Sequence, residues 1–338
     1  MIRSMLKYKW MCIAVLCCAI FAACEPASDT PTAQTPITFS SGIVRAAQVK
    51  VPYDNARMWA YYTDDNSAVN WVYGNATTPE LATLSEIDPT AGTAGTAKLT
   101  INGNTKYWFD GTYNFFSIYS EDFINGNLSN AALDTENNQL TFDYDITKQN
   151  ELRYACHLNT RGTTNRTTEV NLNYQHLLSR IKFQGFSKDA SNTVTVTNVE
   201  ISGLPKSATI SLNIPDDDLA NEDITSLEAA YDFSESETTS LLNTDVEFEC
   251  NNADGLIVLD KMVFPQSVAA ETITFSVTYN TQFEIGKQKS VTLPTSTWLP
   301  GKSYLYKFYI QSGGPIEIGT YEILDWEDGG SVNIMLPK

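Results

Sequence analysis

Residues 272–279 read Thr-Ile-Thr-Phe-Ser-Val-Thr-Tyr, so hydroxylated and apolar side chains alternate along this segment. Successive side chains of a strand point to opposite faces, so a period of two predicts a strand with one buried face. The same alternation recurs within 304–310 and 210–214. Short runs of this kind, separated by Gly, Pro and Asn, predict an all-β fold of antiparallel β-sandwiches.

Two features interrupt this regular pattern. The apolar parity changes between Val196 and Val199, which predicts a β-bulge near Asn198. Residues 215–245 are acidic and rich in Ser and Thr, and we expect them to form an elaborated connection between strands.

The composition restricts the possible functions. The protein has 338 residues, which is long enough for two domains of ordinary size. Its formal net charge of −18 would repel the phosphates of nucleic acid, so we expect no nucleic-acid partner. The sequence contains no zinc-protease motif, Cys-x-x-Cys pair, nucleophile elbow or complete phosphate-binding loop. We therefore expect a protein without enzymatic activity, cofactor or metal.

The cysteines and histidines of the body are expected to be structural. Cys156 and Cys250 each continue an apolar alternation, which predicts two separate buried thiols in different domains; a single bridge is the alternative. His157 lies opposite the apolar parity of its strand, so we expect it to be exposed. His176 continues an apolar parity and is expected in a core or an interface. Residues 216–218 are three aspartates without the oxygen spacing of a calcium loop, so we expect a solvated loop.

The N-terminal segment has the features of a secretory signal. Residues 1–9 are basic, and residues 10–23 form an uncharged apolar run that is too short to span a membrane. Ala22-Ala23-Cys24 is similar to a bacterial lipobox, at which a peptidase cleaves before a cysteine that receives diacylglycerol. We therefore predict a lipoprotein signal peptide over 1–23 and a lipid anchor at Cys24. The alternative is an ordinary signal peptide in which this cysteine is incidental.

A tether and a short strand follow the cysteine. Residues 24–36 contain three prolines among Thr, Ser and Ala, which predicts an extended, lipidated tether. Ile37, Phe39 and Ile43 alternate with polar or small residues and predict a short strand with one buried face.

Residues 168–183 read TEVNLNYQHLLSRIKF, and this pattern resembles the fimbrillin family, the type V pilins of Gram-negative anaerobes. Further segments agree in the same order: Ile37-Thr-Phe-Ser, Val199-Glu-Ile-Ser-Gly-Leu204, Ile273-Thr-Phe275, Leu293-Pro-Thr-Ser-Thr-Trp-Leu-Pro-Gly-Lys-Ser-Tyr304 and Trp326. The resemblance implies two tandem transthyretin-like β-sandwich domains, which we place at 37–165 and 166–338. It also implies a lipid-anchored protein on the surface of the outer membrane that joins other pilus subunits in an adhesive fimbria.

The resemblance further implies a route of assembly. In family members that polymerise, an Arg-specific protease removes the lipidated segment with the first strand, and a strand of the next subunit fills the groove. Arg45 is the natural cleavage site, because it is the one Arg or Lys between Cys24 and Lys50. The strand that plugs the groove before cleavage would present Ile37, Phe39 and Ile43. The candidate donor strand would present Val332, Ile334 and Leu336, which alternate as a donor requires.

Three alternatives remain open. In the first, Arg45 is a solvated charge and not a cleavage site. In the second, residues 331–336 form a permanently docked strand of their own domain. In the third, the protein is a non-polymerising outer-membrane lipoprotein that binds carbohydrate or a host ligand. Exposed aromatic residues, Trp71 or Trp108 among them, would then line a shallow face.

Overall fold

The computed structural model describes residues 34–42, 53–84, 96–101, 103–120, 128–188, 194–243, 248–250, 255–269, 271–311, 315–326 and 331–332. In these ranges the strands β1 to β13 are Phe39–Gly42, Tyr53–Thr63, Val69–Tyr73, Glu80–Leu84, Thr96–Ile101, Gly111–Ser120, Leu128–Asp134, Gln139–Asp145, Leu152–Gly162, Val170–Asn171, Gln175–His176, Ser179–Ser187 and Val194–Pro205. Strands β14 to β25 are Ser207–Asn213, Glu228–Asp232, Thr238–Asn243, Phe248–Cys250, Leu256–Val263, Gln266–Val268, Thr274–Asn280, Lys287–Thr292, Ser296–Trp298, Lys302–Ile310, Glu317–Asp325 and Ser331–Val332. Short 3-10 helices span Ile146–Lys148 and Asp216–Asp218.

The predicted all-β class and its sandwich packing are confirmed. The longest sheet has the strand order β10-β1-β5-β4-β2-β6-β9-β11 in the described residues, with β3 paired to β2. A second sheet runs β18-β12-β23-β24-β25, a third runs β16-β13-β20-β21 with β17 on β13, and a fourth runs β15-β14-β8-β7. Neighbouring strands are mostly antiparallel, but β1 pairs with β10 and β12 pairs with β23 in parallel.

The second and third sheets enclose one core. The alternation that predicted β20 is confirmed, because Phe275, Val277 and Tyr279 are buried while the residues between them are half exposed. Phe275 stacks on Phe183 of β12 with ring centroids 4.1 Å apart. The bulge expected near Asn198 is also present, since the pairing of β13 with β20 shifts register between Val196 and Asn198.

The long sheet has a core on each of its faces. On one face, Trp59 and Phe116 pack with the fourth sheet, whose strands β8 and β14 contribute buried apolar residues. On the other face, Met58 and Phe115 pack with Phe39 of β1. Strands β2 and β6 therefore need apolar side chains in both directions, which explains their unbroken apolar runs.

The structure corrects one expectation about the middle of the chain. Residues 215–245 contain the strands β15 and β16, paired with β14 and β13 respectively, rather than connection alone. The domain boundary at 165 and 166 remains a prediction. Pairing joins segments from its two sides, because β1 pairs with β10 and β8 pairs with β14.

Candidate functional site

The first strand lies between two others and is second from one end of the long sheet. Its Phe39 and Ser40 are in parallel register with Val170 and Asn171 of β10. Its Ser40 to Gly42 are in antiparallel register with β5. If β1 left, both neighbours would expose backbone groups that now bond to it, and a groove of one strand's width would open.

Backbone hydrogen bonds fix the segment in front of and along β1. Pro36 forms an isolated antiparallel bridge with Tyr107. Five amide donors join this segment to its surroundings in the described residues: Thr35 to the Thr164 carbonyl at 3.3 Å, Ile37 to Lys106 at 2.9 Å, Trp108 to Thr35 at 3.0 Å, Val170 to Thr38 at 2.9 Å, and Leu172 to Ser40 at 2.8 Å.

Two large side chains from this segment fill the groove. Ile37 and Phe39 are 6% and 5% exposed. The Phe39 ring meets Phe115 edge-on with centroids 5.5 Å apart, and meets Tyr73 at 5.9 Å. Burying side chains of this size stabilises a fold by about 1.5–3 kcal/mol each, so these two residues add substantially to the backbone hydrogen bonds that hold the segment.

A column of parallel aromatic rings runs from Phe115, beside Phe39, to the surface at Phe109. Phe115 stacks with Tyr113, Tyr113 with Tyr62, and Tyr62 with Phe109, at centroid distances of 5.9, 4.9 and 5.9 Å. Burial raises the pKa of Tyr113 to about 12, and its hydroxyl accepts a hydrogen bond from the Phe109 amide at 2.7 Å. The column meets the first strand at Phe115, which contacts Phe39.

The structure places part of the predicted site. Ile37 and Phe39 lie together in the groove, as the plug-strand hypothesis requires. Cys24, Ile43 and Arg45 lie outside the described residues.

The candidate donor strand is described in its first part. Val332 lies on β25, whose backbone pairs with Ile323 of β24 in the same chain. This pairing agrees with the alternative that the segment closes its own domain. Ile334 and Leu336 lie outside the described residues, so the donor hypothesis remains a prediction.

Nothing in the sequence predicts that β10 is the neighbour of β1. The predicted domains at 37–165 and 166–338 place Phe39 in the first domain, and Val170 and Leu172 in the second. Val170 and Leu172 are fully buried in the same core as Phe39. Periodicity shows that a segment is a strand, but it contains no signal for which distant strand pairs with it.

His157 is buried, and the expectation that it is exposed was wrong. Its exposed fraction is 8%, because Asn171 of β10 and Asp223 cover it. His176, expected in a core or an interface, is partly buried: it stacks on Trp326 with centroids 4.4 Å apart and lies 3.1 Å from a carboxylate oxygen of Glu151.

Cys156 and Cys250 are free and buried in different cores, as predicted. Burial raises the pKa of the Cys156 thiol to about 12 and that of Cys250 to about 11. Both side chains therefore act as small apolar groups, since the reactive thiolate is suppressed.

The aromatic residues offered for carbohydrate binding differ in exposure. The Trp108 ring is fully buried and lies 5.0 Å below the Arg166 guanidinium. Trp71 is half-buried and packs on Tyr61. The exposed rings of this region are instead Tyr107 and Phe109, on either side of Trp108.

Searches for two further kinds of site found nothing in the described ranges. No group of three or more His, Cys, Asp or Glu side chains is arranged to hold a metal ion in that part of the chain. None of the helices described there has the length and apolar character to cross a membrane.

Comparison with solved structures finds similar folds at low sequence identity. A candidate cell adhesion protein from Bacteroides ovatus is 15% identical, with 88% of this chain and 100% of that chain aligned at a TM-score of 0.50. A fimbrial protein from Bacteroides vulgatus is 14% identical over 81% and 93% of the two chains, with a TM-score of 0.48. The tip fimbrial protein Mfa3 from Porphyromonas gingivalis, with a C-terminal truncation, is 12% identical over 87% and 100%, with a TM-score of 0.38.

Comparison by sequence identifies the family directly. No curated protein matches the chain. The model of one family, described as fimbrillin-like, matches residues 55–326, which is most of the sequence. The match covers β5 and β10, the two neighbours of β1, but not β1 itself. This chain therefore belongs to the fimbrillin-like family.

Proposed function

We propose that the protein is a structural subunit of a surface fimbria, without catalytic activity, whose first strand occupies a groove until another subunit's strand replaces it. The observation that carries this proposal is the position of β1 between β10 and β5. A strand inserted there would regain ladder hydrogen bonds on both sides and would bury alternate side chains. Membership of the fimbrillin-like family supports the same role.

Head-to-tail exchange of this strand would build a filament. The contact is heterologous, because a groove on one subunit receives a different segment of the next, and such contacts propagate. The donor in this proposal is the segment from Ser331 onward, with Val332, Ile334 and Leu336 toward the groove. Strand β25 lies at the end of its sheet in the described residues, so its departure would leave the β12–β23–β24 pairing intact.

Export and release belong to the same proposal. Lipid at Cys24 would hold the precursor at the outer membrane, and cleavage after Arg45 would separate β1 and the anchor from the body. The body would then lack the two side chains that fill the groove, Ile37 and Phe39.

The test is Arg-specific proteolysis of the purified precursor, followed by electrophoresis in SDS without heating. We expect one cut after Arg45 and ladders that resist SDS. Arg45→Lys preserves the charge but removes the protease site, so it should give neither cut nor ladder. Arg161→Lys, a matched change at an exposed arginine, should behave as the wild type. Persistent monomer after complete cleavage at Arg45 would refute the polymerising role.

Deletion of 331–338 tests the donor. Cleaved subunits without this segment should remain monomeric but should still accept the segment as a synthetic peptide. Ladders that form without it would exclude it as the donor.

One observation favours a second candidate function, the binding of carbohydrate. Tyr107 and Phe109 are 40% and 42% exposed, and Phe109 stacks on Tyr62, so flat apolar surface is presented to solvent. Phe109→Ala should abolish binding on a glycan array if these rings stack on sugars. Unchanged binding, or no binding by the wild type, would remove this candidate.

A further inference from the structure

The turn between β20 and β21 presents two large apolar side chains to solvent. Phe283 and Ile285 are 73% and 88% exposed, and they are the two most exposed large apolar residues in the described part of the chain. Single apolar residues on a surface are ordinary. Two of them, close together on one turn and almost free of contacts, mark a site that meets another surface.

Hydrogen bonds fix the backbone of this turn. The Thr281 hydroxyl accepts from the amides of Phe283 at 3.2 Å and Glu284 at 3.0 Å, and the Thr281 amide donates to the Glu284 carbonyl at 2.7 Å. The Gly286 amide donates to Oδ1 of Asn280 at 2.8 Å. The apolar side chains therefore stand on an ordered turn, and a contact through them has little backbone left to order.

The turn lies at the end of its sandwich that is remote from the fourth sheet. Asn280 pairs with Thr195, near the start of β13. The other end of β13, at Pro205, leads directly into β14, which pairs with β8 of the fourth sheet. Strand β13 has 12 residues, so its two ends are on the order of 35 Å apart. Phe283 and Ile285 therefore stand away from the packing of the fourth sheet.

The charges beside the turn favour an anionic surface. Residues 281–289 contain one glutamate and two lysines, so this segment is net basic in a chain whose net charge is −18. Glu284 forms an ion pair with Lys287 at 3.6 Å, and Lys289 follows on the same face of β21. Glu249 of β17 is three strand spacings from β21, about 14 Å, which exceeds the Debye length of about 8 Å at physiological ionic strength.

A lipid layer fits these features better than a second copy of the chain. A rigid apolar protrusion needs a matching apolar pocket on a protein partner. The cavities found in the described residues are lined largely by polar or charged side chains, Asp143, Asp232 and Glu151 among them. The interfacial region of a bilayer accepts Phe and Ile without a preformed pocket, and lysines just behind them reach its phosphate groups.

We propose that residues 281–289 form a lipid-contacting site, in which Phe283 and Ile285 enter the interfacial region of an anionic bilayer while Lys287 and Lys289 meet its phosphate groups. This inference goes beyond the proposed function and does not depend on strand exchange. It gives the precursor a second attachment beside the lipid predicted at Cys24, and two weak attachments hold a protein at a membrane more firmly than one.

Hydroxyl-radical footprinting of the full chain, read by mass spectrometry, tests the contact at the side chains themselves. The probe is vesicles of phosphatidylcholine and phosphatidylglycerol in equal parts. Oxidation of Phe283 and Ile285 should fall severalfold when vesicles are added. Leu219, which is 59% exposed on another part of the surface, should be oxidised equally with and without vesicles. The apolar run at 10–23 binds vesicles by itself, but it would leave the oxidation of the turn unchanged.

Vesicle sedimentation of matched variants measures what each group adds. Phe283→Ser and Ile285→Ser should each lower the partition coefficient about tenfold, because each removes one apolar side chain from the lipid. Lys289→Gln should lower it about fivefold on these anionic vesicles and little on pure phosphatidylcholine. Leu219→Ser, the same kind of change at the control position, should bind as the wild type does. The exposure of Phe283 and Ile285 means that their variants should fold normally.

Two results would overturn the proposal. One is unchanged oxidation of Phe283 and Ile285 in chains that have bound to vesicles. The other is protection that appears without vesicles and rises with protein concentration, which would assign the turn to a contact with a second copy of the chain. Strand exchange is judged separately, because Phe283→Ser should still form ladders after Arg-specific cleavage. A protected turn in a wild type that forms no ladders would refute the assembly and keep the lipid contact.

Discussion

Phe39→Ala should loosen the first strand without loosening the whole protein. The Phe39 side chain is 5% exposed and contacts Phe115 and Tyr73 edge-on. Truncation of a buried Phe to Ala costs about 3–5 kcal/mol in protein cores. Because the Phe39 side chain belongs to β1 and fills the groove, most of this cost should appear as local undocking of β1.

The size of the effect follows from that range. A loss of about 3 kcal/mol raises an opening equilibrium roughly a hundredfold. The amides of Val170 and Leu172 would exchange faster by that factor, because their acceptors leave with β1. The loss of global stability has an upper limit. Once β1 has undocked, the mutation lowers the free energy of unfolding by no more than the free energy of docking β1.

The assay combines hydrogen exchange with urea unfolding followed by tryptophan fluorescence. Phe275→Ala is the matched control, because the same truncation in the core between the second and third sheets should lower global stability without selective exchange at Val170 and Leu172. Ile37→Val should give a smaller effect of about 0.5–1.5 kcal/mol in the same direction. If Phe39→Ala lowered global stability while exchange at Val170 and Leu172 stayed unchanged, β1 would be integral to the domain and the idea of a replaceable strand would be wrong.

Two further predictions concern the cores and a turn. Because burial raises the pKa of both thiols, to about 12 for Cys156 and about 11 for Cys250, maleimide at pH 8 should label them slowly in the folded protein and rapidly in denaturant. Peptide mass spectrometry resolves the two sites, and rapid labelling of the native protein would contradict their burial. Gly203→Ala should destabilise by about 1–3 kcal/mol in thermal unfolding, because φ is +84° and the new Cβ would lie 2.3 Å from the Thr272 oxygen. Gly103→Ala should destabilise the protein less, because φ is positive there but the new Cβ would lie in open space. Equal losses of stability in the two variants would show that backbone strain alone is responsible.

The sequence predicts strands best where one face is buried and the other is exposed to solvent. Residues 274–280 are such a case, and even the bulge at Asn198 was visible as a change of parity. The strands within 215–245 were missed, because β15 and β16 present few fully buried side chains and so carry a weak apolar pattern. The burial of His157 was missed for a related reason. Its parity describes the strand it belongs to, whereas Asn171 and Asp223 reach it from other parts of the chain.

The sequence by itself determined the all-β class, the burial of Ile37 and Phe39 and the separation of the two buried thiols. Each of these follows from local alternation, which sets the face of a strand on which a side chain lies. The tertiary structure alone decided that β1 pairs in parallel with β10, that Trp108 is buried while Tyr107 and Phe109 are exposed, and that His157 bridges β10 to Asp223. These depend on which distant segments meet, and that choice follows from the packing of whole sheets over shared cores rather than from the pattern of any one strand.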